Sequence, residues 1–324
     1  MKVIVIGGGR SSEHDVSLQS AAAVREGLRE AGHEVHYVEI AKDGTWRHGD
    51  EGLPVEPGKG LLGADVVFPV LHGPYGEDGT VQGMLELIDV PYVGSGLHAS
   101  ATCMDKAVSK EWMAHHGVPQ VEFVTLRHPV TAADRERIGK LGWPVFVKPS
   151  RLGSSVGIGK AEKPEELETA LKEAFEHDSV VLVEQCSSGR EVEVGILGTG
   201  DLTVSEPGEI IVPGDGWYDY ETKYTPGAAE VVIPADLPKA TVKKAKGLAE
   251  QAFRATGCSG MARVDFFVED ERVLVSEINT IPGFTQTSAY PRLMETAGVP
   301  FPDLFNRLLE DARADFRAFR SREH

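Results

Sequence analysis

The run Lys2-Val3-Ile4-Val5-Ile6 is followed at once by Gly7-Gly8-Gly9 and then by a helical stretch from Val16 to Ala31. No other feature constrains the fold as much. A strand that is β-branched on both faces must be covered on both faces. A glycine turn and a helix after such a strand open a parallel α/β layer. Gly32 is the stop signal for that helix. Further strands are expected over Glu34–Ile40, Ala64–Leu71 and, briefly, Val90–Val93, so the layer spans residues 1–99.

The pattern then changes. Ser100 to Gly117 is expected as one helix, with Pro119 just beyond it. Pro144–Pro149 reads as a strand, Ser150–Gly157 as a glycine- and serine-rich turn, and Ile158–Ala161 as a return strand. A helix over Pro164–His177 starts with Glu165-Glu166, which suit its positive end. The strand Val180–Gln185 precedes a boundary at Ser187-Ser188-Gly189. Beyond it, strands are expected at Glu191–Leu197, Glu230–Ile233, Ala262–Val268 and Arg272–Asn279. Helices are expected at Lys239–Thr256 and Phe301–Phe319. The chain is therefore α/β, divided into residues 1–99, 100–188 and 189–324.

Lys plus Arg number 33 against 50 Asp plus Glu, a net charge of −17. That balance argues against nucleic-acid or anionic-membrane partners, which select basic surface. An anionic substrate would have to be met by locally placed cations. No run reaches the roughly 18 apolar residues of a membrane span, and the N-terminal apolar run is too short for a signal peptide. The three cysteines, Cys103, Cys186 and Cys258, are an odd, dispersed set without C-x-x-C. They indicate no disulfide framework and read as small buried thiols in a soluble cytoplasmic protein.

The glycine turns fail two familiar patterns. A dinucleotide fingerprint is broken at Ser12, and a P-loop around Lys160 fails at Ser154 and Ala161. Val147–Gly157 nevertheless suits phosphate: small residues free backbone N–H groups, Ser154 and Ser155 add hydroxyls, and Lys148 adds a compact charge. A flexible hairpin with an incidental lysine has the same composition.

The sharpest constellation is Arg263-Val264-Asp265 with Glu277-Ile278-Asn279 around a polar turn at Glu269–Arg272. A hairpin centred on Glu271 places Asp265 opposite Glu277 and Arg263 opposite Asn279, all on one face. Val264, Phe266, Leu274 and Ile278 are expected on the other, core face. Two carboxylates and an amide oxygen suit Mg²⁺ with substrate phosphates, and Arg263 beside them suits developing negative charge. A solvated face laced by ion pairs is the other reading. Glu184-Gln185, with Glu191 beyond, suits a nucleotide's base edge and ribose, although a strand leaving a core reads the same way.

These residues resemble the D-alanine–D-alanine ligases of the ATP-grasp fold, along essentially the whole chain. Five blocks in the family's order carry the resemblance. They are Gly7–Ser17, Leu71–Thr80 (Leu-His-Gly-Pro-Tyr-Gly-Glu-Asp-Gly-Thr), Val147–Gly157, Tyr218–Tyr224, and Arg263–Asp265 with Glu277–Gly283. The resemblance implies a three-lobed ATP-grasp architecture with an N-terminal parallel-sheet domain. It implies an ADP-forming carbon–nitrogen ligase that makes an acyl phosphate of one D-alanine and couples it to a second for peptidoglycan synthesis. The cofactors implied are ATP and two Mg²⁺, with Mn²⁺ as a substitute, and the assembly implied is a cytoplasmic homodimer joined through the N-terminal lobe.

By matching position, Glu13 holds the first ammonium and His72 lines that pocket, while Glu13, Ser154 and Tyr224 form a hydrogen-bonded trio. Lys106, Lys148, Ser155 and Lys223 meet ATP phosphates, Glu184 and Gln185 meet adenine, and Glu191 meets ribose. Asp265, Glu277 and Asn279 bind metal, Arg263 and the Gly283 N–H stabilise the oxyanion, and Ser288 binds the second carboxylate. Tyr224 matches the amide-forming members; ester-forming relatives carry histidine there. Gln286-Thr287-Ser288-Ala289 departs from the family's pattern, so D-lactate, D-serine or another amino acid is the alternative second substrate. His14, His115, His116 and Trp217 receive no role.

Overall fold

A computed structural model describes residues 1–153, 156–212 and 229–321. Its first sheet is built on β1 (Lys2–Gly8), whose burial on both faces matches its β-branched sequence. β1 runs parallel to β2 (Glu34–Ile40) and to β5 (Val66–Pro69). The short β3 (Trp46–His48) and β4 (Glu51–Gly52) extend the β2 edge antiparallel. Helix α1 (His14–Glu30) returns the chain between β1 and β2. The expected fourth strand at Val90–Val93 reduces to one parallel bridge, Val67 to Tyr92. The reason is Pro91: its carbonyl accepts from the Val67 N–H, but it has no N–H to extend a ladder.

Next come α2 (Thr80–Leu87), α3 (Leu97–Met104) and α4 (Lys106–His115). The single helix expected from Ser100 to Gly117 is broken at Asp105. Its extended backbone ends α3, and its carboxylate caps α4 by accepting from the Val108 N–H. The break makes Lys106 the first residue of a new helix.

A second sheet, in the order β6 (Phe123–Arg127), β9 (Val180–Gln185), β7 (Val145–Pro149), β8 (Gly159–Ala161), is antiparallel throughout. Helices α5 (Ala132–Gly139) and α6 (Leu167–His177) cover one face of it, burying Val145, Val147, Val181 and Val183. A third antiparallel sheet comprises β10 (Arg190–Leu197), β11 (Thr203–Val204), β12 (Gly208–Ile211), β13 (Glu230–Val232), β14 (Met261–Glu269) and β15 (Arg272–Asn279). Helix α7 (Lys239–Ala255) packs Ala245, Ala249, Ala252 and Phe253 against its core face.

The last helices are α8 (Ala289–Thr296) and α9 (Phe301–Arg320). They tie the chain's two ends together. Phe284, Tyr290, Phe305 and Leu308 share one core with Val3, Val5 and Phe68 of the first sheet. The close approach depends on Gly27 of α1, where a Cβ would lie 2.2 Å from the Phe305 ring. Among the described residues no helix is long and apolar enough to cross a membrane.

Candidate active site

The hairpin of β14 and β15 pairs Arg263 with Asn279 and Asp265 with Glu277, as the sequence predicts. The expected uniform register does not continue toward the turn. Phe266 pairs with Val275 and Glu269 with Arg272, leaving Ser276 as the extra residue of a β-bulge. The two-residue turn Asp270-Glu271, with Asp270 at φ 49°, sets the register at one end, and the bulge restores the facing pairs at the other. Leu274, expected on the core face, is not part of that core. Leu274 lies opposite Phe267 on the face of Asp265, while Val273 and Val275 enter the core.

β10 lies beside β14 with Gly195 opposite Arg263, Glu193 opposite Asp265 and Glu191 opposite Phe267. The Arg263 guanidinium is therefore held between strands. Its Nε is 2.7 Å from Asp265 Oδ1 and 3.0 Å from Glu193 Oε1, and its Nη2 donates to Asp265 Oδ2 at 2.7 Å. Glu193 is buried, and sequence reasoning gave it no role. Its signal was available: it sits two residues past Glu191, on the same strand face.

Asn279 Oδ1 accepts from the Ile281 N–H at 3.2 Å. Among the described residues, no group of three or more His, Cys, Asp or Glu side chains is placed to hold a metal ion. The hairpin's donor set is nonetheless all oxygen, two facing carboxylates and an amide, which fits a hard cation such as Mg²⁺.

The lysine side of the site comes from α4 and the second sheet. Lys106 Nζ donates to the Leu152 carbonyl at 2.7 Å and stands 3.7 Å from Glu277 Oε2, linking the glycine loop to the hairpin. The loop's start is fixed by Ser150, which accepts at its carbonyl from the Lys106 N–H and donates its hydroxyl to Asp105 at 2.6 Å. Arg151 adds a bidentate grip on Asp178. Lys148 Nζ is 2.5 Å from Glu184 Oε2. Its pKa stays above the ordinary lysine value because Glu184, Glu277 and Glu191 together outweigh burial.

Glu184 and Gln185, both assigned to adenine, occupy opposite faces of β9. Glu184 pairs across the sheet with Phe146 and Phe123 and meets Lys148. Gln185 pairs with Val145, and its amide donates to the Leu141 carbonyl at 3.1 Å. Strand alternation explains the split, and the Gln185 side chain is turned away from the site.

The segments that follow β1 and β5 contribute carboxylates. Glu13, at the N-cap of α1, is buried. Its Oε2 lies beside Gly73 (φ +72°) and Gly153, where an added Cβ would come within 2.6 Å and 3.2 Å of it. It thus joins the His72-Gly73 loop to the glycine loop. Burial pushes the His72 imidazole below its ordinary pKa, against the nearby Glu13 carboxylate, and its Nε2 sits 3.3 Å from Ser20 Oγ.

Glu77, which lies in the Leu71–Thr80 segment but was given no role from the sequence, accepts from the Gly73 N–H at 2.7 Å. Burial, then the charges of Glu13 and Glu277, push it up to about 8. A Cβ at Gly283 would lie 3.1 Å from Ser288 Oγ, so these two predicted residues are adjacent at the start of α8. Ser288 Oγ also accepts from the Thr285 N–H at 3.1 Å.

Ser154, Ser155, Lys223 and Tyr224, together with Trp217, lie outside the described residues. Of the histidines without a role, His14 is buried against the Gly9 carbonyl at 2.7 Å, while His115 and His116 are exposed at the end of α4 beside Trp112. Cys103 and Cys258 are buried side by side.

Residues 112–310 match the family model described as D-ala D-ala ligase C-terminus, and residues 2–59 and 51–95 match D-ala D-ala ligase N-terminus. A curated D-alanine–D-alanine ligase of Deinococcus radiodurans is 45% identical, over 95% of this chain and 97% of that protein. One of Caldicellulosiruptor bescii is 41% identical, over 95% and 94%. Among solved structures, the D-alanine-D-alanine ligase of Coxiella burnetii has a TM-score of 0.88 at 34% identity, covering 99% of this chain and 96% of that one. A D-Ala:D-Ser ligase of Enterococcus faecalis has a TM-score of 0.87 at 36% identity, covering 96% and 99%.

Proposed function

This chain belongs to the D-alanine–D-alanine ligase family, and from that premise we propose how its own residues carry out the family's reaction. The protein is an ATP-dependent ligase that joins two D-alanines for peptidoglycan synthesis. A carboxylate oxygen of the first D-alanine attacks the γ-phosphorus of ATP, and ADP leaves. The amine of the second, having lost its proton, attacks the acyl-phosphate carbon. The tetrahedral intermediate expels phosphate and leaves the amide. No protein nucleophile is needed, so catalysis is positioning and charge neutralisation.

Glu13 and Glu77 receive the first ammonium, with the neutral His72 beside them. Lys106, Lys148 and Lys223, with Ser155, meet the phosphates, and Glu191 meets the ribose. The base is met by Glu184 and by the backbone of Gln185. Arg263 and the Gly283 N–H face the developing oxyanion, and Ser288 faces the second carboxylate. Glu13, Ser154 and Tyr224 tie the lobes together. Asp265, Glu277 and Asn279 hold two Mg²⁺ or Mn²⁺, which neutralise phosphate charge. The working unit is three lobes, 1–99, 100–188 and 189–324, in a cytoplasmic homodimer.

The observation that carries this reading is the facing set on β14 and β15, joined to α4 by the Lys106–Glu277 contact. Its test is incubation with ATP, Mg²⁺ and D-alanine, D-serine or D-lactate, following phosphate and identifying products by mass. One phosphate per D-alanyl-D-alanine is expected. Phosphate without dipeptide, or turnover only with D-lactate or D-serine present, overturns it.

A pH dependence follows from Glu77. It holds a proton below about 8 in the free protein, and a bound ammonium favours its ionised form, so binding releases that proton. The KM for the first D-alanine is expected to fall by about tenfold between pH 6 and 8. Glu77→Gln should flatten that profile. A Glu77→Gln enzyme with the wild-type slope would show that another group is responsible.

A further inference from the structure

Lys110 lies on α4 one turn beyond Lys106 and is 2% exposed. A lysine this deep needs a counterion. Its Nζ is 2.7 Å from Glu184 Oε1 and 5.5 Å from the centre of the Phe123 ring, the β6 neighbour of Glu184. The other carboxylate oxygen, Oε2, belongs to Lys148. One buried carboxylate thus serves two ammonium groups. Burial works to raise the Glu184 pKa, but Lys110 and Lys148 outweigh it and hold the group down to about 2. The side chain of Lys148 is 16% exposed and that of Lys110 is 3% exposed, so the cleft side of the trio is Lys148.

The charge count makes the arrangement informative. A lone Lys148–Glu184 pair is neutral, and an approaching polyphosphate meets the carboxylate as well as the ammonium. With Lys110 the trio carries a net +1, directed at the cleft. We propose that Lys110 is a positioning residue for nucleotide phosphate binding: by occupying one oxygen of Glu184, it leaves the charge of Lys148 available to the phosphates. The inference rests on the assignment of Lys148 to ATP. A buried pair that merely seats α4 on the sheet would have the same contacts, so the test must separate phosphate binding from general damage.

The experiment measures dissociation constants of the full-length protein for Mg²⁺-bound β,γ-methylene-ATP and for adenosine. In Lys110→Met the ATP analogue is expected to weaken by about 10- to 50-fold, the effect of one charge several ångströms away at an effective dielectric near 20. Adenosine meets Glu184 through its base but carries no charge, so it should change by less than about threefold. Lys110→Arg should stay near wild type. The double variant Lys110→Met/Glu184→Gln should recover the ratio, because both charges leave together.

An unchanged ratio in Lys110→Met overturns the inference, whether both ligands weaken equally or neither does. If that variant does not fold, Glu184→Gln alone should bind the analogue more tightly relative to adenosine, and an unchanged ratio there overturns it equally. A wild-type protein that does not favour the analogue over adenosine would instead refute the phosphate assignment of Lys148.

Discussion

Replacing Arg263 with alanine is expected to lower turnover by roughly 10²- to 10³-fold, the scale of losing one oxyanion donor. The guanidinium is preorganised. Two N–H groups are fixed on Asp265 and one is shared with Glu193, on adjacent strands of the third sheet. Such a group stabilises developing charge without reorganising at the moment of reaction. The alanine variant also removes the guanidinium 3.0 Å from the buried Glu193, so a lower melting temperature should accompany the lost turnover. Arg263→Lys separates the two effects. It keeps the positive charge, so stability should largely return, but a lysine has no planar fork and turnover should remain low. The measurements are phosphate release at saturating ATP and D-alanine and a thermal melt. Recovery of full turnover by lysine would assign Arg263 a structural role alone.

Asp265→Asn is expected to raise the Mg²⁺ concentration for half-maximal activity by on the order of 10²-fold or more, since an amide is a weaker ligand than a carboxylate. Binding of the ATP analogue should lose most of its Mg²⁺ dependence in parallel. The geometry adds a condition. Both Asp265 oxygens engage Arg263 in this structure, so an Asp265 that turns to a metal must release part of that contact. Glu193, 3.0 Å from Arg263 Nε, is placed to keep the arginine in position. An Asp265→Asn protein whose Mg²⁺ titration and nucleotide binding match wild type would remove Asp265 from the metal site.

Much of this was readable in one dimension. The burial of β1 follows from its own five-residue run, and the facing of Asp265 with Glu277 follows from strand alternation and the length of a turn. These are local properties: side-chain period and turn chemistry are set within a few residues. Where an expectation failed, a backbone hydrogen-bonding condition that side-chain periodicity does not report had intervened. Pro91 removed a ladder N–H, Asp105 reached Ser150 and broke a helix, and the bulge at Ser276 moved Leu274 to the site face. Strand alternation, legible in the sequence, is also why the side chains of Glu184 and Gln185 part to opposite faces, with the Gln185 amide on the Leu141 carbonyl.

The charges on Lys106, Lys148, Asp265 and Glu277 could be listed from composition and motif. Which charges neutralise one another could not. Arg263 found Glu193, and Lys110 found Glu184, only because separate elements bring them within about 3 Å in a region shielded from water. Coulomb energy depends on distance and burial, not on spacing along the chain. Pattern and motif thus specified the elements and the reaction class, while packing decided which carboxylate each cation holds and which cations remain for the substrate.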